Sequence, residues 1–144
     1  MKVVNQFSAE FFSCSANEAF ARVIVAGFIS RLDPTLDEIN DIKTAVSEAV
    51  TNCIVHAYPN SIGKIALKVK LEEDGMVCIT VKDWGCGIEN VEQAKKPMFT
   101  TGNEERSGMG FTIMESFMQQ LRVVSHPGKG TTVHMKRRIL KRGL

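Results

Sequence analysis

Ile65-Ala66-Leu67-Lys68-Val69-Lys70-Leu71-Glu72-Glu73-Asp74-Gly75-Met76-Val77-Cys78-Ile79-Thr80-Val81-Lys82-Asp83-Trp84-Gly85-Cys86-Gly87 is the stretch whose reading decides the fold class. Residues 65–72 alternate, with Ile65, Leu67, Val69 and Leu71 on one side. Residues 76–82 alternate again, with Val77, Ile79 and Val81 set against Cys78, Thr80 and Lys82. Two period-2 runs joined by a short turn containing glycine make an antiparallel hairpin. Its apolar side needs a second layer to cover it, while an antiparallel sheet can leave its other side in water. Asp83 directly follows the alternation, so its carboxylate stands at a strand end beside two glycines.

The flanks of the hairpin extend this scheme. Residues 1–12 alternate loosely around Val3, Phe7, Phe11 and Phe12 and read as an edge strand. Ser15-Ala16-Asn17-Glu18 has the serine–glutamate spacing of a capping box, which opens a helix running to about Leu32. That helix is apolar on more than one side: Phe20, Val23, Ile24, Gly27 and Phe28 form one stripe, with Val25, Ile29 and Leu32 beyond it. Asp33-Pro34 breaks it, and Thr35-Leu36-Asp37-Glu38 repeats the capping pattern for a second helix. There Ile39, Ile42, Val46, Ala49, Val50, Cys53 and Ala57 recur at three- and four-residue steps and mark a core face, before Tyr58-Pro59-Asn60 ends the helix.

Beyond the hairpin, residues 90–108 are polar, with Pro97 and two glycines. A structureless stretch of that length in a compact domain is usually a lid or binding loop. A helix from Gly110 to about Gln120 follows, then strands over residues 121–125 and 131–138 joined by the turn His126-Pro127-Gly128-Lys129-Gly130. The order predicts an α/β protein: a two-layer α/β sandwich with a mostly antiparallel sheet and helices on one face, organised as a single domain over residues 1–144.

Bulk properties narrow the classes. A hydrophobic share of 44% and a charged share of 24% are ordinary for a soluble globular chain. A net charge of +2 gives no reason to expect direct nucleic-acid binding. The basic residues Lys136, Arg137, Arg138, Lys141 and Arg142 read as a solvated edge strand and tail. No window has the apolar length of a membrane span, and residues 1–6 lack the apolar core of a signal peptide, so the expectation is a cytoplasmic protein without a membrane partner. Cys14, Cys53, Cys78 and Cys86 form no C-x-x-C pair; Cys53 and Cys78 sit among apolar residues and read as buried free thiols. Three scattered histidines and four unpaired cysteines do not compose a zinc site.

Three separated pieces carry the chemistry. On the second helix Glu48, Asn52 and His56 are spaced by four and share a polar stripe with Asp41 and Ala45, about 100° from the core stripe. Taken alone, that is a solvated face. Phosphoryl transfer gives it a second meaning, because the attacking hydroxyl needs a base and Mg²⁺ takes a few hard oxygen ligands. Glu48 suits the first need and the Asn52 carboxamide oxygen the second; His56 packs as an ordinary half-buried histidine. Asp83 can accept from an exocyclic amine such as adenine's, with Gly85 and Gly87 letting backbone approach the base; alone, it is an aspartate-capped glycine turn. Ser107-Gly108-Met109-Gly110 stands before a helix whose first N–H groups favour phosphate; alone, it is a lid hinge. The hydroxyls of Thr100, Thr101 and Thr131 could reach phosphate or base. Neither a P-loop nor a dinucleotide-binding glycine pattern is present.

In this order and spacing the three pieces resemble the GHKL superfamily of ATP-binding domains, with its Bergerat-type fold. Glu48-x-x-x-Asn52 looks like the N box, Asp83-x-Gly85-x-Gly87 and Gly108-Met109-Gly110 like the two glycine boxes. The likeness tightens at residues 20–23, 32–35, 46–52, 99–101 and 105–115, which are similar to the sporulation anti-sigma F factors over nearly the whole chain. That resemblance implies a homodimeric serine protein kinase that uses ATP and Mg²⁺, holds a sigma factor inactive and phosphorylates a serine of an anti-anti-sigma partner. It implies Glu48 as general base, Asn52 as magnesium ligand and Asp83 as adenine contact. His56, Gly85, Gly87, Gly108, Met109, Gly110 and Phe111 would lie around ATP or ADP, and Thr100, Thr101, Ser107 and Thr131 would supply lid or pocket hydroxyls. Arg22, Glu105 and Arg106 would face partners. The sequence departs from the pattern at Ala57, where glycine often follows the histidine, and in the short run Gly102-Asn103-Glu104. Two alternatives stand beside this reading: a stress-response anti-sigma kinase, and a non-catalytic, nucleotide-dependent binding module. A detached histidine-kinase ATPase domain is a further one, with no room ahead of it for a histidine-bearing helix pair.

Overall fold

The computed structural model describes residues 2–96 and 110–140. Within them, five strands form one sheet in the order β1-β2-β3-β5-β4: β1 (Val3–Phe12), β2 (Lys64–Glu72), β3 (Met76–Asp83), β4 (Gln120–His126) and β5 (Gly130–Arg138). Every neighbouring pair is antiparallel. The helices are α1 (Ala16–Ile29), α2 (Leu36–Asn52), the short α3 (Val91–Ala94) and α4 (Gly110–Phe117).

Alternation in each strand aligns the apolar residues into rows. Phe7 faces Val69, Val69 faces Ile79, Ile79 faces Met135, and Met135 faces Leu121, so one row crosses the whole sheet. Leu67, Val81, Val133 and Val123 continue a parallel row. Cross-strand pairs of this kind are the unit of sheet stability. The helices lie on that face. Ile42, Ala45, Val46, Ala49 and Val50 of α2 are buried with Ala21, Val25 and Ile29 of α1 and Phe111 and Met114 of α4. Phe28 of α1 meets Phe7 edge-on at 4.7 Å. The opposite sheet face carries Lys68, Lys70, Lys82, Arg122 and Lys136 at alternating positions. The two-layer α/β sandwich expected from the alternation is therefore the architecture found.

The second capping box forms as the sequence predicts: the Thr35 hydroxyl accepts from the Glu38 N–H at 3.0 Å, and the Glu38 carboxylate accepts from the Thr35 N–H at 2.8 Å. The first does not. Ser15 already has helical dihedrals and makes no side-chain cap, because the Glu18 carboxylate is taken by Arg22 and by the Ser47 hydroxyl of α2. α1 stops at Ile29, followed by a 3₁₀ turn (Ser30–Leu32) and Asp33 in the left-handed region at φ 53°. α2 passes into one π turn, Cys53–Ala57, in place of the uniform helix that the apolar periodicity suggested.

Two further expectations change. β5 is not an edge strand; it lies between β3 and β4, and β1 and β4 are the edges. Its arginines are not merely solvated: Arg137 pairs with Asp41 at 2.9 Å and donates to the Phe117 carbonyl at 2.6 Å, and Arg138 pairs with Asp74 at 2.6 Å. Cys53 is buried but Cys78 is only half-buried, and Cys14 and Cys86 are exposed. Among the described residues no helix is long and apolar enough to cross a membrane.

Candidate nucleotide site

The stripe Asp41, Ala45, Glu48 and Asn52 is not a plain solvated face: α4 packs against α2, Ala45 is buried, and Asp41, Glu48 and Asn52 are half-buried, with Asp41 paired to Arg137. α4 comes close to it at Gly110, its first residue. A Cβ added there would stand 3.3 Å from both terminal atoms of the Asn52 carboxamide and 3.3 Å from Glu48 Oε2. Glu48 and Asn52 thus meet the N-terminus of α4, where unpaired N–H groups and the helix dipole favour anions.

A cavity of about 360 Å³ opens from this point, a size that suits a small-molecule ligand. Asn52, His56, Gly110 and Phe111 line it together with Gly87 of the loop after β3, Asp83 and Thr131. The π turn matters here. His56 of that turn lines the cavity with Asn52, and the Cys86 N–H bonds to the Ala57 oxygen at 3.1 Å.

Asp83 is the buried polar group of the site. Its Oδ1 accepts from the Gly85 N–H at 2.9 Å and from the Thr131 N–H at 3.1 Å. Its Oδ2 receives the Cys53 thiol at 3.5 Å. Burial pushes the Asp83 carboxyl above the usual carboxylate range, and the bonds from Gly85, Cys53 and Thr131 pull the other way. Burial and the adjacent Asp83 charge push the Cys53 thiol well up, so it stays protonated and donates. Thr131 is fixed in turn by Ser125, 2.7 Å between hydroxyls, and Ser125 also takes the Ile88 N–H at 2.8 Å.

Two glycines have a structural reason beyond ligand approach. A Cβ on Gly85 would fall 2.3 Å from the Ala57 oxygen, and one on Gly87, at φ +77°, would fall 2.3 Å from the His126 oxygen. The loop is pressed onto the π turn and onto the β4–β5 turn, and only glycine fits. The same contact shows what Ala57 does: its methyl group lies 2.6 Å from where a Gly85 Cβ would be.

The structure therefore brings together Asn52, His56, Asp83, Gly87, Gly110, Phe111 and Thr131 around one cavity, with Glu48 at its Gly110 end and Gly85 just behind its wall. Arg22 lies on α1, with Nε 2.9 Å from Glu18 but not aligned for a hydrogen bond there. Thr100, Thr101, Glu105, Arg106, Ser107, Gly108 and Met109 lie outside the described residues. Sequence reading missed Cys53, Ser125 and α3, whose Ala94 also lines the cavity. Asn90 caps α3 by accepting from the Gln93 N–H at 3.0 Å; asparagine three residues ahead of that donor was the available signal.

Comparison with known proteins agrees with this geometry. The family described as histidine kinase-like ATPase domain matches residues 14–137. Among solved structures, the RsbU and RsbW domains from Mycobacterium tuberculosis superpose with a TM-score of 0.69 at 20% identity, covering 98% of this chain and 35% of that one. A blue-light activated histidine kinase domain from Erythrobacter litoralis gives 0.58 at 22% identity, covering 85% of this chain and 60% of that one. At such identities the likeness is one of fold. The class is thus a histidine kinase-like ATPase domain, and a nucleotide is the ligand that class implies. The curated relatives are much closer. Proteins named anti-sigma F factor are 56% identical in Pasteuria penetrans, over 94% of this chain and 91% of the relative, and 55% identical in Caldanaerobacter subterraneus, over 96% and 97%. The chain belongs to the anti-sigma F factor family, which joins an anti-sigma role to a kinase-like ATPase domain.

Proposed function

We propose that this protein is an ATP-dependent serine protein kinase and anti-sigma factor, acting as a cytoplasmic homodimer built from one domain over residues 1–144. It sequesters a sporulation sigma factor and phosphorylates a serine of an anti-anti-sigma protein. The observation that carries the catalytic part is the meeting of Glu48 and Asn52 at the bare Cα of Gly110, beside a cavity that the buried Asp83 also lines. In this reading the two groups take the two ends of a nucleotide. Asp83 presents a carboxylate acceptor for the adenine amine, which the carbonyl of guanine cannot satisfy. The α4 N-terminus presents N–H groups to phosphate.

The donor set also fits magnesium: the Asn52 carboxamide oxygen is a hard neutral ligand, one of the few protein ligands such an ion takes when the rest are phosphate and water oxygens. Bound there, Mg²⁺ would offset charge on the phosphate oxygens. Glu48, one helical turn before Asn52, orients the substrate serine hydroxyl and accepts its proton as the oxygen attacks. Thr131 and Gly87 shape the base end; His56 and Phe111 wall the middle and exclude water. Thr100, Thr101, Ser107, Gly108 and Met109 complete the cover in this reading. Arg22, Glu105 and Arg106 form the partner-facing surface, to which the exposed Phe20 and Val23 beside Arg22 add apolar area.

Incubation with labelled ATP and an anti-anti-sigma protein tests the proposal. Label on a serine of the partner is expected, and Glu48→Gln should bind ATP as before while transferring at least ~100-fold more slowly, the usual range for a lost general base. Retention of the partner without any labelled serine would instead mark a nucleotide-dependent binding module without transfer.

A further inference from the structure

Cys53 is a polar group of the site with no part in the phosphoryl-transfer reading. It stands where α2 gives way to the π turn, is buried, and directs its thiol to Oδ2 of Asp83 at 3.5 Å. Oδ1 of the same carboxylate is already occupied by two backbone N–H groups, from Gly85 and Thr131. Oδ2 is therefore the oxygen left for a ligand, and the thiol shares it. An ionised carboxylate oxygen can accept more than one hydrogen bond, so the thiol does not displace a ligand amine. It holds Oδ2 in place and stabilises the charged form, the form that acts only as an acceptor.

We propose that Cys53 is a positioning residue for purine selection: its thiol keeps Asp83 an ionised acceptor, so that the pocket takes a purine with an amine at C6 and refuses one with a carbonyl. A protonated Asp83 would carry an O–H donor and could satisfy that carbonyl. The inference rests on the nucleotide-site reading above and deepens it. The environment leaves this work to few groups. The titratable side chains around Asp83 are Cys53 and His56 of the π turn, Tyr58 just beyond it, Cys86 of the following loop, and Glu89 on the cavity rim. No lysine or arginine among the described residues lines the cavity, so none offsets the Asp83 charge there. Burial favours protonation of Asp83; three hydrogen bonds oppose it, and the thiol is the one of the three that a side-chain substitution removes.

The test is calorimetric titration of the full chain with ADP and, separately, with inosine diphosphate, which carries a carbonyl at C6 in place of the amine. Wild type, Cys53→Ala and Cys53→Ser are each measured from pH 5.5 to pH 8, with thermal melting as a check of folding. Cys53→Ala should lose about three- to tenfold in ADP affinity, the effect of one hydrogen bond. The loss should be larger at the acid end, with the pH midpoint of ADP binding moved upward and the preference for ADP over inosine diphosphate narrowed. Cys53→Ser, which keeps a donor of nearly the same shape, should restore both midpoint and preference. A Cys53→Ala chain with the wild-type midpoint and preference overturns the inference, as does a Cys53→Ser chain that behaves like Cys53→Ala; in either case wild-type ADP binding leaves the nucleotide-site reading standing. A wild-type chain that takes up no ADP removes that reading and this inference with it.

Discussion

At the residue scale the site turns on one carboxylate and its charge. Burial holds Asp83 above the ordinary carboxylate range. A carboxyl whose pKa rises on folding contributes stability that is fully present below its unfolded value and is lost as pH climbs through the raised one. Ionised Asp83 is thus a cost to the empty protein at neutral pH, borne for recognition. In the proposed reading nucleotide binding has the opposite slope, because only the charged form accepts without donating; ADP affinity should fall as pH drops through the raised pKa. Asp83→Asn should abolish that pH dependence and weaken ADP binding at least ~10-fold at pH 7.5, about 1.4 kcal/mol, without lowering the melting temperature of the empty chain. Paired binding and melting curves read both effects. Asp83 was legible in the sequence because alternation ended beside it. Cys53 was not: thirty residues separate it from its partner, and its place in an apolar heptad-like run marked it only as core.

At the element scale, short signals were legible where backbone chemistry is local and lost where a tertiary partner competes. Thr35 and Glu38 formed their box because Glu38 keeps Oε1 for the cap while its Oε2 takes the Leu140 N–H; Glu18 failed its box because Arg22 and Ser47 hold both its oxygens. Thr35→Ala should therefore cost ~1 kcal/mol, read as a fall of about 2–4 °C in melting temperature, whereas Ser15→Ala should change it little. The π turn left no mark in the periodicity, since Cys53 and Ala57 stay buried in either winding. Its test is Gly85→Ala, which sets a methyl group 2.3 Å from the Ala57 oxygen. Overpacking of this kind costs ~1–3 kcal/mol, and the chain should melt earlier and bind ADP more weakly.

At the scale of the whole molecule, all five strands were legible in the sequence, but their order in the sheet was not. Placing β5 inside and β4 at the edge depends on the chain crossing α4 before it returns, and no local pattern encodes that. Arg137 shows the consequence. Read as a solvated edge residue, it sits instead on a central strand and ties β5 to Asp41 of α2 and to the end of α4. The site is assembled the same way, from α2, β3, β5 and α4, so its parts converge only when the layers close. The proposed partner surface belongs to this scale as well. Arg22 is on α1, away from the cavity lining, and Arg22→Ala should weaken capture of the sigma factor while leaving ADP affinity within about twofold; a pull-down alongside a nucleotide titration distinguishes the two, and a large loss of ADP affinity would move Arg22 into the pocket.

In the proposed function one cavity between α2, the sheet and α4 holds an adenine nucleotide in a fixed direction. A crystal structure of the protein with ADP and Mg²⁺ measures this directly. The adenine amine is expected within hydrogen-bond distance of the Asp83 carboxylate, the phosphates beside Gly110, and the Asn52 carboxamide oxygen on the metal. A nucleotide lodged elsewhere, or lying in the cavity with its phosphates against Asp83, would contradict it.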